Sequence, residues 1–335
     1  MKKILIDPKL NSYKANLHCH TTISDGEKTP EEIKKLYKNK GYSIVAYTDH
    51  EYLVDQSYLN DENFLALNGY EISICEQSEP FIFDYLKCYH FNFIAKNSKV
   101  IKQVGVDLEQ IWPYKEELVN NIKYDEKYHK VYDLEKMNEL IKKACENDYI
   151  VNYNHPNWSL HTRVDYIDLE GFTALEVYNN GCITGGYHDD MHVMDEMLNE
   201  GKKFNIVFTD DNHNRWPVES PFNDSFGGFV MIQSDELEYE KIINSLEKGN
   251  YYSSNGPIID ELYIEDNVLN IKMSDVVQVG IIGRGRIRTG MKKFDSFNEF
   301  SVKLGKEFND YFYVVIIDKD GNKAVTNPYF NVLYY

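Results

Sequence analysis

A chain of 335 residues with 54 acidic against 36 basic side chains has a net charge of -18, which repels polyanions and argues against an extended nucleic-acid or anionic-membrane surface. It is long enough for one large catalytic domain and a smaller appendage. No run approaches the ~20 apolar residues of a membrane helix, and Cys19, Cys75, Cys88, Cys145 and Cys182 show no CxxC spacing. The expectation is a soluble, cytoplasmic protein with reduced thiols and neither a disulfide framework nor a cysteine zinc site.

In chain order, a short strand is expected at 14–17. Thr29-Pro30-Glu31-Glu32 then reads as a capping box with proline at the first helical position. Ile33, Leu36 and Tyr37 give this helix its apolar face, and Gly41 stops it before a buried strand at 42–47. Further strands are expected at 65–72, 88–94, 149–153, 174–178 and 204–208, with helices at 133–146, 189–200 and from beyond Asp235 to near Gly249. Met191, Met194, Met197 and Leu198 form a core face of the second of these helices. The stretch 97–132, with Trp112, Pro113 and Tyr114, is longer than an ordinary βα loop and reads as an insertion over the site. Beyond Asn255-Gly256-Pro257 the pattern changes to short alternating strands, including a hairpin-type turn at Asp318-Lys319-Asp320-Gly321. The expected division is a catalytic α/β domain over 1–255 and an all-β domain over 256–335.

The chemistry lies where strands end. In His18-Cys19-His20 the two imidazoles, two residues apart on extended chain, point the same way. Thr48-Asp49-His50, Glu71, His90, Asn154-His155-Pro156 and Asp211-Asn212-His213 each fall at the expected C-terminal end of a strand, the face on which a βα barrel gathers its functional residues. Histidine and carboxylate together are ligands for zinc, iron or manganese. Without a cation, the same cluster would leave like charges and unsatisfied polar groups in a pocket.

With Ser24-Asp25-Gly26 and Gly69-Tyr70-Glu71 added, these segments resemble, in order, the motifs of the PHP (polymerase and histidinol phosphatase) family across residues 15–255. The segment 249–257 with its β tail is similar to the carbaryl-hydrolase-like subgroup. The resemblance implies an α/β fold, a distorted (β/α)7 TIM-like barrel with a C-terminal all-β domain. It also implies two or three divalent metal ions (Mn, Fe or Zn) and a phosphoesterase activity. Carried over by position, His18, His20, Glu71 and Asp211 would hold a first ion, and Glu71 would bridge to a second held by His90 and His155. Asp25, His50 and His213 would hold a third, with Asp25 standing where some family members have histidine.

The implied reaction is attack by a water between two ions on a small phosphorylated metabolite or nucleotide. Glu71 and Asp211 are the central catalytic carboxylates, while His161, His188 and Arg215 are candidates to bind the anionic group or protonate the leaving oxygen. Lys28, Arg163 and His192 are further candidates. Asp49 and Asp210 either orient a neighbouring ligand or cap a turn. Trp158, Tyr178, Asn179 and Trp216 either stack on a substrate ring or pack the rim. The glycines at 283, 285 and 290 belong to a basic turn, since no Lys-Ser/Thr follows them. Two alternatives stay open: a carbamate or carboxylester hydrolase on the same metal centre, and a catalytically silent metal-binding regulatory domain. The expected partner is a small-molecule anionic substrate, with no membrane; a homo-oligomer is compatible with the sequence.

Overall fold

The computed structural model describes residues 2–78 and 82–333. The N-terminal half contains β1 (Lys2–Ile6), β2 (Asn11–Asn16), α1 (Pro30–Asn39), β3 (Ile44–Tyr47), β4 (Leu65–Cys75) and β5 (Cys88–Ala95). There follow α2 (Glu116–Val119), α3 (Leu134–Glu146), β6 (Tyr149–Tyr153), α4 (Arg163–Tyr166), β7 (Ala174–Asn179), α5 (Asn180–Thr184) and α6 (Met191–Asn199). Next come β8 (Asn205–Thr209), β9 (Phe229–Ser234), α7 (Tyr239–Lys248) and β10 (Tyr251–Ser254). The last strands are β11 (Ile259–Glu265), β12 (Val268–Gly283), β13 (Arg288–Lys303), β14 (Tyr311–Ile317), β15 (Lys323–Thr326) and β16 (Tyr329–Phe330).

Local signals set these elements. At the start of α1 the Thr29 amide donates to the Glu32 carboxylate at 2.9 Å and the Glu32 amide to Thr29 Oγ1 at 3.3 Å, closing the capping box and satisfying two amides that a helix start leaves free. Helix α7 ends on Gly249 at φ 70°, a left-handed conformation that glycine adopts without steric cost.

The result is a mixed α/β fold around one continuous sheet of order β1-β11-β12-β14-β15-β10-β9-β2-β3-β4-β5-β6-β7-β8, with β13 added on β12 and β16 on β14. Strands β2 to β4 are mutually parallel, as are β6 to β8, whereas β5 runs antiparallel to both its neighbours. The expected alternation of strand and helix is therefore interrupted. His90 is the third residue of β5, near the beginning of a reversed strand and not at a C-terminal end; reversal brings it to the same mouth. Inward-facing residues of β2 to β9, among them Ala15, Ile44, Leu67, Ile150 and Val230, join Ile242 and Leu246 of α7 in a single apolar cluster. Past the strand ends the chain is stitched laterally. Asp211 N donates to His18 O at 3.0 Å, His20 N to Asn212 O at 3.1 Å, and Glu71 N to Asp49 O at 3.2 Å. The continuation of β8 thus lies beside that of β2, and the motif segments are neighbours in space.

Three features depart from expectation. Strand β1 pairs with β11, Ile6 opposite Leu262, and Ile6 joins the apolar cluster of the C-terminal strands, so the N-terminal strand crosses the anticipated boundary at 255. The C-terminal strands also pack back on the helices: Tyr311 and Tyr313 of β14 share a cluster with Met194 and Met197, and Tyr313 donates to Asp195 at 2.7 Å. Finally, Cys75 and Cys88 form a disulfide, correcting the expectation of five reduced thiols. They are directly paired residues of β4 and β5, a closeness that only the register of the two strands creates; Cys19, Cys145 and Cys182 are free. No helix among the described residues is long and apolar enough to cross a membrane.

Candidate metal centre

Strands and their continuations bring all nine anticipated ligand side chains to one mouth. His18 and His20 follow β2, and Asp25 comes from the tight loop that Gly26 allows to close, where a Cβ would lie 2.6 Å from His20 O. His50 follows β3, Glu71 lies in β4 and His90 in β5. His155 follows β6, while Asp211 and His213 follow β8. His18, His20, His50, Glu71, His90 and His155 are buried, and Asp25, Asp211 and His213 are half-buried.

The tightest group is a triangle. His18 Nε2 and His20 Nε2 are 3.1 Å apart, and Asp211 Oδ1 lies 3.1 Å from the first and 3.0 Å from the second. Ligand bonds of about 2.1 Å place neighbouring donor atoms about 3.0 Å apart in an octahedron and about 3.4 Å apart in a tetrahedron. The Glu71 oxygens are 3.4 Å from the same two nitrogens. Glu71 also faces a second group, its Oε1 lying 3.1 Å from His90 Nδ1 and 3.3 Å from His155 Nε2. A third gathers His20, Asp25, His50 and His213, with Asp25 Oδ2 3.3 Å from His213 Nε2 and Asp25 Oδ1 3.9 Å from His50 Nε2. His50 Nδ1 sits 3.0 Å from Glu71 Oε2, so this imidazole faces two of the groups.

Several of these atoms are buried polar groups without a hydrogen bond. His50 Nδ1, His90 Nε2 and Asp211 Oδ1 make none, and for a buried group that is a cost of about 1–3 kcal/mol each. Asp211 Oδ1 against the His18 and His20 nitrogens, and Glu71 Oε2 against His50 Nδ1, stand at 3.0–3.1 Å without hydrogen-bond geometry, which is what a shared cation relieves, so the residues fit divalent metal. Electrostatics agree. Burial opposes a charge on His18, yet Asp211, Glu71 and Glu176 hold its pKa well above the usual imidazole range. Burial likewise opposes a charge on Glu71, yet His18, His90 and His50 keep its carboxyl well below the usual range. For His50, burial and then His20 push the pKa well down. The carboxylates are held ionised and ask for positive charge, which protons on some imidazoles supply only by setting like charges side by side. Backbone conformation adds to the cost: His155 and Asp211 adopt left-handed φ of 29° and 52°, a conformation that in non-glycine residues concentrates at functional sites.

The surrounding partners point the imidazoles. His213 Nδ1 lies 3.0 Å from Asp211 O, and His155 Nδ1 3.3 Å from Ser159 Oγ, leaving each Nε2 to face the centre. Asp49 accepts from Thr21 N at 2.7 Å and Ser24 N at 3.0 Å, fixing the loop between His20 and Asp25. Asp210 accepts from Tyr37 Oη and from the amides of Phe226, Gly227 and Gly228 at 2.8–2.9 Å. Both serve as anchors of turns and neither touches a ligand imidazole.

Two sequence candidates lie elsewhere. His161 is turned away from the mouth, its Nδ1 bonded to Tyr153 Oη and its ring packed on Tyr89 and Tyr132. The cause is the turn after β6, where His161 N reaches back to Pro156 O and Leu160 adopts φ 58°. His188 is exposed, and its amide donates to Asn157 Oδ1 at 3.3 Å. Lys28 and His192 do not line the cleft either. Arg215 does line it, with its guanidinium 2.9 Å from Asp25 Oδ2. Trp158 and Trp216 are at the cleft wall, while Tyr178 is buried behind it and Asn179 donates to Asp211 Oδ2 at 3.0 Å.

Sequence reasoning missed Glu176. Buried in β7, it accepts from His18 Nδ1 at 2.8 Å, Asn179 Nδ2 at 2.9 Å, the His155 amide at 3.0 Å and the Thr209 hydroxyl, tying four segments of the mouth together. The signal was available as a carboxylate inside the apolar run Ala174-Leu175-Glu176-Val177. Also missed was the buried pair of Lys130 and Glu51, 2.5 Å apart, which clamps the end of the insertion to the residue after His50. The floor opens into a cleft of about 1020 Å³ to which the insertion contributes Gln110, Ile111 and Trp112.

No protein-family model matches the chain, and no curated protein does. Solved structures that are similar include a two-domain protein containing a predicted PHP-like metal-dependent phosphoesterase from Bacteroides vulgatus, 13% identical over 96% of each chain at a TM-score of 0.46. A protein assigned as a metal-dependent phosphoesterase from Bifidobacterium adolescentis is 15% identical, covering 62% of this chain and 90% of its own at a TM-score of 0.36. An amidohydrolase from Chromobacterium violaceum, with bound sulfate and no metal, is 15% identical over 59% of this chain and 87% of its own at a TM-score of 0.40.

Proposed function

We propose that the chain is a PHP-like, metal-dependent phosphoesterase whose sheet from β2 to β9 forms a distorted barrel around two or three divalent ions. The observation that carries the reading is the convergence of the nine anticipated imidazoles and carboxylates on one mouth, with buried polar atoms of His50, His90 and Asp211 left without a hydrogen bond. Bound divalent ions of the manganese, iron or zinc type would supply a water deprotonated near neutral pH and neutralise charge on the ester oxygens. The protein's own part is positioning. Glu71 faces two groups at once, Asp211 completes the triangle with His18 and His20, and Glu176 holds His18 in register. Arg215 presents a cation at the mouth, where an anionic substrate enters. The described residues lining the cleft include no histidine outside the cluster, so His161 and His188 are not assigned as acids.

A carbamate or carboxylester hydrolase is the second reading, favoured by Arg215 being the single cationic side chain among the described residues that line the cleft. The two are separated by metal analysis of the purified protein together with a panel of phosphate esters, aryl esters and carbamates, with manganese, iron or zinc supplied. Phosphate release accompanied by two or three ions per chain, and silenced in His20→Ala, is the expected result. Metal uptake with cleavage of aryl ester or carbamate alone moves the assignment to the second reading; a chain that takes up no metal ends both.

A further inference from the structure

Above its floor the cleft changes chemistry. Phe83 from the β4–β5 loop, Trp112 from the insertion, Trp158 after β6, Tyr187 after α5, and Trp216 with Phe222 after β8 all line it. Trp112 is 62% exposed and Trp216 55%, and aromatic surface gathered from five separate segments is an unusual thing for a protein to leave in water without a ligand. These rings adjoin the cluster at two points. Trp112 lies 5.5 Å from the His50 ring, and Trp158 lies 5.2 Å from His90 and 5.0 Å from His155, centroid to centroid. At those distances the tryptophans are themselves in edge contact with the imidazoles, so the exposed surface of Trp112 stands directly beside the floor.

Charge limits what else the ligand can carry. Among the described lining residues Asp25, Glu51, Glu71, Asp211 and Asp224 are acidic, and Arg215 alone is basic, already bonded to Asp25. A second anionic group placed away from the floor would meet carboxylates and aromatic faces. We infer that the cleft takes a compound bearing a single phosphoryl group on a planar aromatic body, the ring lying against Trp112 and Trp158 and the phosphoryl oxygens turned to the floor. This deepens the phosphoesterase reading and rests on it. A simple aryl group and a nucleobase share the chemistry.

The test is calorimetric titration of the manganese-loaded full chain with methylphosphonate, phenylphosphonate, 3-phosphonopropionate and adenosine 5′-monophosphate. Phenylphosphonate is expected to bind about 10- to 100-fold tighter than methylphosphonate, the worth of one stacked ring. The ratio of the two should collapse toward one in Trp112→Ala and, independently, in Trp158→Ala. 3-Phosphonopropionate, with its second anion, should bind no tighter than methylphosphonate. Adenosine 5′-monophosphate above phenylphosphonate supports the inference with a nucleobase as the body, and below it supports a plain aryl body. Equal binding of the methyl and phenyl compounds, or 3-phosphonopropionate as the tightest of the set, overturns the inference and leaves the hydrolase standing. Failure of the chain to load metal is a separate observation and removes the hydrolase reading itself.

Discussion

The floor of the cleft and the shell directly behind it use the same residue types and differ in how their lone pairs are met. Asp210 and Asp211 are neighbours in sequence. Asp210 receives three amides and a tyrosine hydroxyl, while Asp211 Oδ1 receives none and looks at two imidazole nitrogens. Behind the floor, burial of a carboxylate is compensated by backbone donors; on the floor it is left open. Buried groups that a fold could have satisfied and did not are the mark of a ligand's place.

That contrast can be broken in four ways, beginning with the largest effect. In Asp211→Asn, metal uptake and hydrolysis should fall by more than about 10²-fold, beyond what loss of an outer partner brings. In chelator the same variant should melt close to the parent, since its amide oxygen can still accept from Asn179 and the other carboxyl oxygen has no donor to lose; a clear drop in melting temperature would show that Asp211 holds the fold. Glu176→Gln should weaken metal binding about 10- to 100-fold by loosening His18, with far-UV circular dichroism unchanged, and unaltered affinity would deny it an orienting role. Asp210→Ala should do the reverse of Asp211→Asn. It leaves buried amides unmet at about 1–3 kcal/mol each, lowering the urea midpoint while each folded chain keeps its metal.

The smallest effect concerns His161, which burial pushes down to about 3. Its folded pKa lies below the ordinary imidazole value of about 6.5, so the unfolded chain takes up its proton first as pH falls. The stability it supports is fully present above about pH 6.5 and declines by about 1.4 kcal/mol per pH unit down toward pH 3. His161→Gln keeps an acceptor for Tyr153 Oη and removes the titration. Between pH 7.5 and 5, urea unfolding should show the variant gaining about 2 kcal/mol relative to the parent. Parallel pH profiles would mean that the imidazole is already hydrated in the folded protein.

Much of the site was legible because its residues come in short motifs at the ends of apolar runs, and the ends of strands in one sheet are near each other. The capping box before α1 and the helices over 134–146 and 191–199 followed from side-chain periodicity. What escaped depended on relations that a linear pattern does not contain. The reversal of β5 hides in a run that is buried along its whole length, so nothing in its pattern tells one direction from the other. The Cys75–Cys88 bond needed the β4–β5 register. His161 and His188 are candidates by residue type, and a left-handed turn at Leu160 carries the first into an aromatic core. Glu176 lies in mid-strand, away from the strand-end motifs that marked the site.

Strand β1 has a consequence for how the chain is made. It precedes its partner by a long stretch of chain: Ile6 and Leu262 lie 256 positions apart. So long a loop is slow to close, and until β11 emerges the nascent chain carries an unpaired strand with a free hydrogen-bonding edge. Pairing of β1 is thereby tied to synthesis of β11, and a product released early, for instance at residue 255, would leave β1 without its partner and open to aggregation or proteolysis.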